Sequence, residues 1–208
     1  LSRILFNKYK IKTPKYFLLH RNNENELTKK MKAKSIKFPI VIKPINEGSS
    51  LGVYICKNKK KFKNNYKKIK DKYDRIIVEQ YIPGKEIQVA IMGSKALGAI
   101  ELLPTREFYD YKAKYLTKAK TKHIMPASLT QKKYDEVLST ALKAHKILKC
   151  KSITRSDFRF YKNTFYLLET NTQPGMTKLS LVPEIAGYCG IKFEDLVDWM
   201  VKDASINR

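Results

Sequence analysis

The sequence predicts an α+β fold with a largely antiparallel sheet. Three observations carry that expectation. Short apolar runs rich in β-branched residues recur along the chain. Several are joined by tight Gly- or Asn-containing turns, which make hairpins. Helical stretches interrupt them without strict strand–helix alternation. Leu1–Phe17 reads as a short amphipathic segment that Pro14 stops. Phe38–Pro44 (FPIVIKP) is a buried strand, followed by the small-residue loop Asn46–Gly52 and a second strand, Val53–Cys56. Lys57–Tyr73 is rich in lysine, but Phe62, Tyr66, Ile69 and Tyr73 fall at i, i+4, i+7, i+11. That stripe predicts an amphipathic helix with a solvated lysine face.

Arg75–Ile82 is a strand that ends at Pro83-Gly84. Glu86–Met92 and Ala96–Leu102 form a hairpin around Gly93-Ser94-Lys95. Pro104–Lys122 is polar, weakly periodic and long for a loop, which marks it as functional. Thr130–Leu148 is a helix with Thr130 as its N-cap, and His145 on its apolar stripe reads as a packed histidine. Ser152–Tyr161 and Thr164–Asn171 are strands around Lys162-Asn163. Two short helices, Ser180–Ala186 and Phe193–Val201, close the chain.

With 208 residues, 43% of them hydrophobic, the chain can bury one ordinary core or two small ones. No apolar run approaches the roughly 20 residues of a membrane-spanning helix, so no membrane role is expected. Cys56, Cys150 and Cys189 are far apart and lack CxxC spacing. This excludes a disulfide framework and a structural zinc site, and points to a reducing, cytoplasmic setting. The net charge of +24 invites a nucleic-acid reading. Lysine dominates over arginine, however, whereas base and phosphate forks favour arginine. We expect no specific nucleic-acid partner.

The chemistry concentrates near the C-terminus. Arg155 and Asp157 share one strand face, as do Glu169 and Asn171. A turn centred on Asn163 sets Asp157 opposite Glu169 and Arg155 opposite Asn171. Phe158, Phe160, Tyr166 and Leu168 then face the other way. Two carboxylates and an amide oxygen make a hard-oxygen site suited to Mg²⁺. The alternative is a solvated face in which Arg155 pairs with a carboxylate. The loop Glu47-Gly48-Ser49-Ser50 exposes backbone N–H groups that can cradle phosphate, and Lys43 on the preceding strand can add a point charge. A plain hairpin is the alternative there. In Asn171–Pro183, Gly175 gives a permissive backbone and Ser180-Leu181 begins a helix whose N–H groups suit a carboxylate.

VIKPINEGSSLGV (41–53), EQYIPGKE (79–86), FYDYKAKY (108–115), RSD (155–157) and ETNTQPGMTKLSLVP (169–183) occur in this order. Together they resemble the D-alanine–D-alanine ligases, ATP-grasp enzymes of peptidoglycan precursor synthesis. The resemblance implies two α+β subdomains gripping ATP, residues 1–86 and 87–208, with the family's N-terminal domain absent. It implies that ATP phosphorylates one D-alanine and that the amine of a second attacks the acyl phosphate. Lys43 and Lys114 would contact phosphates, and Ser49 would sit in the loop over the site. Glu79, Gln80, Tyr81 and Ile82 would form the adenine hinge, and Glu86 would hold the ribose. Asp157, Glu169 and Asn171 would ligate two Mg²⁺ ions, with Mn²⁺ as the substitute. Arg155 and the Gly175 N–H would stabilise the oxyanion and the transferring phosphoryl group. Ser180 and Leu181 would bind the carboxylate of the second D-alanine.

Tyr115 stands where D-lactate-using relatives differ, so the loop looks like the D-alanine type and depsipeptide synthesis is expected to be minor. The resemblance also implies a homodimer. The family's glutamate for the first D-alanine amine and a lysine near the start of its central domain have no match here. The chain is therefore expected to be a fragment with an incomplete first-substrate pocket. Two other readings stay open: another ATP-grasp carboxylate–amine ligase, and a basic nucleic-acid-binding module.

Overall fold

The structure is a computed structural model that describes residues 2–48, 50–103 and 121–204. Ser49, Lys114 and Tyr115 lie outside the described residues, as does most of Pro104–Lys122.

The chain forms two packing units. Residues 14–82 form the first. Its sheet has the order β1-β4-β2-β3, antiparallel throughout. The strands are β1 (Tyr16–His20), β2 (Ile40–Pro44), β3 (Tyr54–Cys56) and β4 (Arg75–Gln80). α2 (Leu27–Ala33) and α3 (Lys59–Ile69) contribute Leu27, Met31, Phe62, Tyr66 and Ile69 to a core with Leu19, Ile40, Ile42, Ile76 and Val78. The lysine-rich stretch is thus an amphipathic helix. Asn58 caps it, its side chain accepting from Lys61 N at 2.9 Å.

The expected single segment Leu1–Phe17 divides in two. Ser2–Lys8 is helix α1, and a strand, β1, begins at Tyr16. The strand was missed because the apolar stripe of α1 runs on into the alternation of Phe17 and Leu19, both buried, with Leu18 and His20 outside. Pro14 and the left-handed Lys10 (φ 59°) separate the two periods. α2 was not anticipated either, because Leu27 and Met31 give it only one buried pair.

The second unit gathers residues 2–13, 83–103 and 122–204. The packing boundary falls at Ile82/Pro83, and α1 packs with this unit. Its sheet runs β7-β6-β5-β8-β9, all antiparallel. The strands are β5 (Lys85–Met92), β6 (Lys95–Leu103), β7 (Lys122–Ile124), β8 (Ile153–Tyr161) and β9 (Thr164–Asn171). One face, with Ile87, Val89, Ile91, Ala99, Phe158, Phe165 and Leu167, packs with α4 (Gln131–Ile147) through Val137, Ala141 and Ala144. Phe6 and Ile11 join this core. α5 (Leu181–Tyr188) packs on β6 and β5, and α6 (Phe193–Asp203) packs on α5.

Thr130 precedes α4 in extended conformation, but its side chain makes no capping bond. His145 is a packed residue: its Nδ1 lies 2.8 Å from Thr154 Oγ1 in the interior. Burial pushes its pKa below the ordinary histidine value, and Lys146 adds to this against a hydrogen bond involving Cys150. An unfolded histidine titrates near ~6.5. The folded state therefore binds fewer protons below that pH, and stability is lost as pH falls through the window beneath ~6.5. We expect the urea midpoint of His145→Gln to fall less than that of the parent between about pH 7.5 and about pH 5.5, a range that brackets that window. An identical fall would remove His145 from the acid response.

Candidate active site

The β8–β9 hairpin turns through Lys162 and Asn163, both left-handed (φ 46° and 59°). Two such residues match the right-handed strand twist and make a two-residue hairpin loop. Near this turn Phe160 pairs with Phe165, and Phe158 with Leu167. The register then shifts between Asp157 and Phe158, and Asp157 pairs with Glu169 and Arg155 with Asn171. The four polar residues come together in the pairs expected from the sequence, but for a different reason. The turn is not centred on Asn163. A bulge at Leu168 supplies the extra residue. In consequence Leu167 and Glu169, two apart, face opposite sides. The apolar partners of Phe158 and Phe160 are Leu167 and Phe165, which corrects the expected Leu168 and Tyr166. Arg3 of α1, itself buried, donates from Nη2 to the carbonyl of Leu168 at 3.2 Å.

Arg155 grips Asp157 with two charge-assisted bonds: Nε to Oδ1 at 2.8 Å and Nη2 to Oδ2 at 2.9 Å. This is the pairing that the sequence offered as the alternative to a metal site. Asp157 is buried, while Glu169 opposite it is exposed. Asn171 Oδ1 accepts from Gln173 N at 3.0 Å. Among the described residues no cluster of three or more His, Cys, Asp or Glu is placed to hold a metal. The donor set here is two carboxylates and one amide, which fits Mg²⁺, an ion that takes few carboxylates and completes its shell with phosphate and water. Gln88 of β5 pairs with Asp157 from the other side. It is buried, and its Oε1 has no hydrogen-bond partner. Sequence reasoning passed over Gln88 because alternation along an apolar strand marks the inward residues, not the polar one among them.

Glu86 starts the same polar face of β5 and is paired with Arg159 across the strands. Ser180 precedes α5 in extended conformation, and its Oγ accepts from Thr177 N at 3.0 Å. Leu181 is the first helical residue, as expected. A Cβ on Gly175 would stand 2.9 Å from Ser180 Oγ. An alanine there would have to displace that hydroxyl, and the backbone is not in the left-handed region that a permissive glycine would serve.

In the first unit, Lys43 Nζ lies 3.3 Å from Glu79 Oε1, and both side chains are largely buried. Lys43 is a positioned cation, held by a residue expected in the adenine hinge. Gln80 spends its side chain on the segment before β2: Oε1 accepts from Lys37 N at 3.0 Å, and Nε2 donates to Lys37 O at 3.0 Å and Pro39 O at 3.1 Å. Tyr81 N donates to Pro39 O at 3.3 Å. These bonds fix the path of the chain into Ile82.

Two antiparallel α+β units carrying these residues are an ATP-grasp fold. The family profile described as D-ala D-ala ligase C-terminus matches residues 5–202. The chain belongs to the D-alanine–D-alanine ligase family. It is 55% identical to a D-alanine–D-alanine ligase of Pelagibacter ubique over 209 aligned positions, covering 100% of this chain and 68% of that protein. A D-alanine–D-alanine ligase of Wolbachia pipientis wMel is 45% identical, with 98% of this chain and 64% of that protein covered. Among solved structures, a D-alanine–D-alanine ligase from Bacillus anthracis superposes with a TM-score of 0.84 at 31% identity, over 97% of this chain and 65% of that one. Another, in complex with ATP, gives a TM-score of 0.79 at 28% identity, over 97% and 63%. The chain thus spans about two thirds of the length of these relatives.

Proposed function

We propose that this chain carries the nucleotide, metal and second-substrate sites of an ATP-dependent ligase that joins two D-alanines to D-alanyl-D-alanine for peptidoglycan. The observation that carries the reading is the paired register Asp157–Glu169 and Arg155–Asn171. It sets a cation and a hard-oxygen set side by side on rigid strands, and phosphoryl transfer needs chiefly positioning and charge neutralisation.

In this reading Asp157, Glu169 and Asn171 hold Mg²⁺, two ions in the full site, with Mn²⁺ as the substitute. Bound there, Mg²⁺ would neutralise charge on the ATP phosphates. Asp157 would serve as a ligand of that ion, and the Arg155 guanidinium beside it would supply positive charge to the transferring phosphoryl group. Lys43, oriented by Glu79, and Lys114 contact phosphates. Residues 79–82 receive the adenine, and Glu86 accepts from the ribose hydroxyls. Ser49 and Tyr115 belong to the segments over the site, and Tyr115 favours D-alanine over D-lactate. The carboxylate of the first D-alanine takes the γ-phosphoryl group of ATP, releasing ADP. The start of α5, at Ser180 and Leu181, takes the carboxylate of the second D-alanine. The amine of that second D-alanine attacks the acyl phosphate and expels phosphate to leave the amide. The Gly175 N–H supports the oxyanion formed in that attack. On the family resemblance the nucleotide subdomains are taken as residues 1–86 and 87–208, while packing divides the chain at Ile82/Pro83 and groups α1 with the second unit.

A cytoplasmic setting is supported by three free cysteines, which suit a reducing compartment. Among the described residues no helix is long and apolar enough to cross a membrane. A homodimer rests on the family resemblance alone.

The test is ADP release with Mg²⁺-ATP and D-alanine against L-alanine. Release that requires D-alanine is the expected result. Release with other amino acids but not D-alanine would replace this reading by that of a different carboxylate–amine ligase.

A further inference from the structure

Arg159 has no part in the roles assigned above, yet it sits in the same polar row. It stands on β8 directly across from Glu86 on β5. Its Nη2 lies 3.2 Å from Glu86 Oε2, and its Nη1 donates to the carbonyl of Gly84 at 3.1 Å. The two side chains are 9% and 10% exposed. Gln88 Nε2 approaches the other carboxylate oxygen of Glu86 at 3.5 Å. Gly84 is itself fixed, because its φ of +95° and its contact with the Phe160 carbonyl leave no room for a side chain.

A buried ion pair contributes little net stability over an apolar pair of the same volume, since desolvation offsets the attraction. Stability therefore does not account for this one. What the fork does achieve is geometric. One guanidinium reaches two acceptors, the Glu86 carboxylate and the turn that leads into β5, and locks one to the other. A lysine offers a point charge and no such fork.

We propose that Arg159 is a positioning residue for ribose recognition. It fixes the rotamer in which Glu86 accepts hydrogen bonds from the two ribose hydroxyls of ATP. The proposal rests on the ribose role of Glu86.

The test is calorimetric titration of the 208-residue chain with Mg²⁺-ATP and with Mg²⁺-2′,3′-dideoxy-ATP. The parent is expected to prefer ATP by about tenfold or more, the worth of a hydrogen bond to a charged acceptor. Glu86→Gln should reduce that preference to about twofold, the neutral amide being the weaker acceptor. Arg159→Met should reduce it to about threefold by weakening ATP alone, leaving the dideoxy analogue unaffected, as expected for a lost positioning contact. If Arg159→Met weakens both nucleotides equally while Glu86→Gln removes the preference, Arg159 is structural and the proposal falls. If Glu86→Gln keeps the preference, the ribose role of Glu86 falls and takes the proposal with it. Should Arg159→Met not fold, Arg159→Lys carries the test. Losing the fork should cut the preference to about half or less, and an unchanged preference overturns the proposal.

Discussion

Replacing Glu169 by Gln is expected to lower D-alanine-dependent ADP release by about 10²–10³-fold, the scale of losing one electrostatic contact to the transition state. The fold should be left nearly untouched. Glu169 is exposed, and surface changes usually cost within about 0.5 kcal/mol. Raising Mg²⁺ should restore part of the rate, because a weakened site is refilled by mass action. Asp157→Asn should behave differently. Asp157 is buried and is both partner and neighbour of Arg155. Neutralising it removes the charge from the carboxylate that grips the largely buried Arg155 guanidinium with two bonds, which costs roughly 3 kcal/mol of stability on top of the lost activity. Urea unfolding and ADP release, measured on both variants, separate a metal-site role from a structural one. An unchanged rate for Glu169→Gln at limiting Mg²⁺ would remove Glu169 from the site.

Gly84→Ala is expected to be among the most destabilising single changes in the chain. A Cβ there would lie 2.2 Å from the Phe160 carbonyl oxygen, a backbone atom that cannot swing away, and the backbone already sits at φ +95°. Strain and overlap together place the cost at roughly 3–5 kcal/mol, near the upper end for point substitutions. Gly187→Ala is the contrasting case. It lies within α5 and has nothing within 4 Å of an added Cβ. The alanine should stabilise by about 0.5–1 kcal/mol, through the lower entropy of the unfolded chain and a better helix propensity. Thermal unfolding of the two variants checks both signs. Equal effects would mean that the close approach at Gly84 does not constrain the fold.

Most elements were legible because their periods are clean. The stripe Phe62–Tyr66–Ile69 stayed readable through a run of lysines, and it is the buried face of α3. The β5–β6 hairpin announced itself through Gly93 and its flanking alternation. β1 was not legible, because its five residues of alternation follow a short amphipathic helix closely, with the left-handed Lys10 and Pro14 as the breaks between them. At the site, spacing pointed to the pairs Arg155–Asn171 and Asp157–Glu169, but the register that joins them comes from the bulge at Leu168 and not from a turn centred on Asn163. Gln88 and Arg159 stayed hidden. A polar residue in a strand reads as solvent-facing, and only the register shows that these two line a buried polar row with Glu86 and Asp157.

The sequence by itself determined the α+β class, most of the hairpins and helices, and the family, since ordered motifs and local periodicity are properties of neighbours along the chain. Tertiary structure decided what depends on residues far apart. The bulge at Leu168 turns Glu169 to the polar face while Leu167 stays in the core, and Arg3, a distant residue, bonds its carbonyl. Gly175 lies against the Ser180 hydroxyl, a neighbour five residues on that only the folded loop brings close. The charges of Lys43 and Arg155 are held by particular carboxylates, Glu79 and Asp157. In each case the deciding quantity is a distance through space. A strand's period of two fixes which residues alternate, but a single inserted residue, invisible to that period, reverses the face from there on.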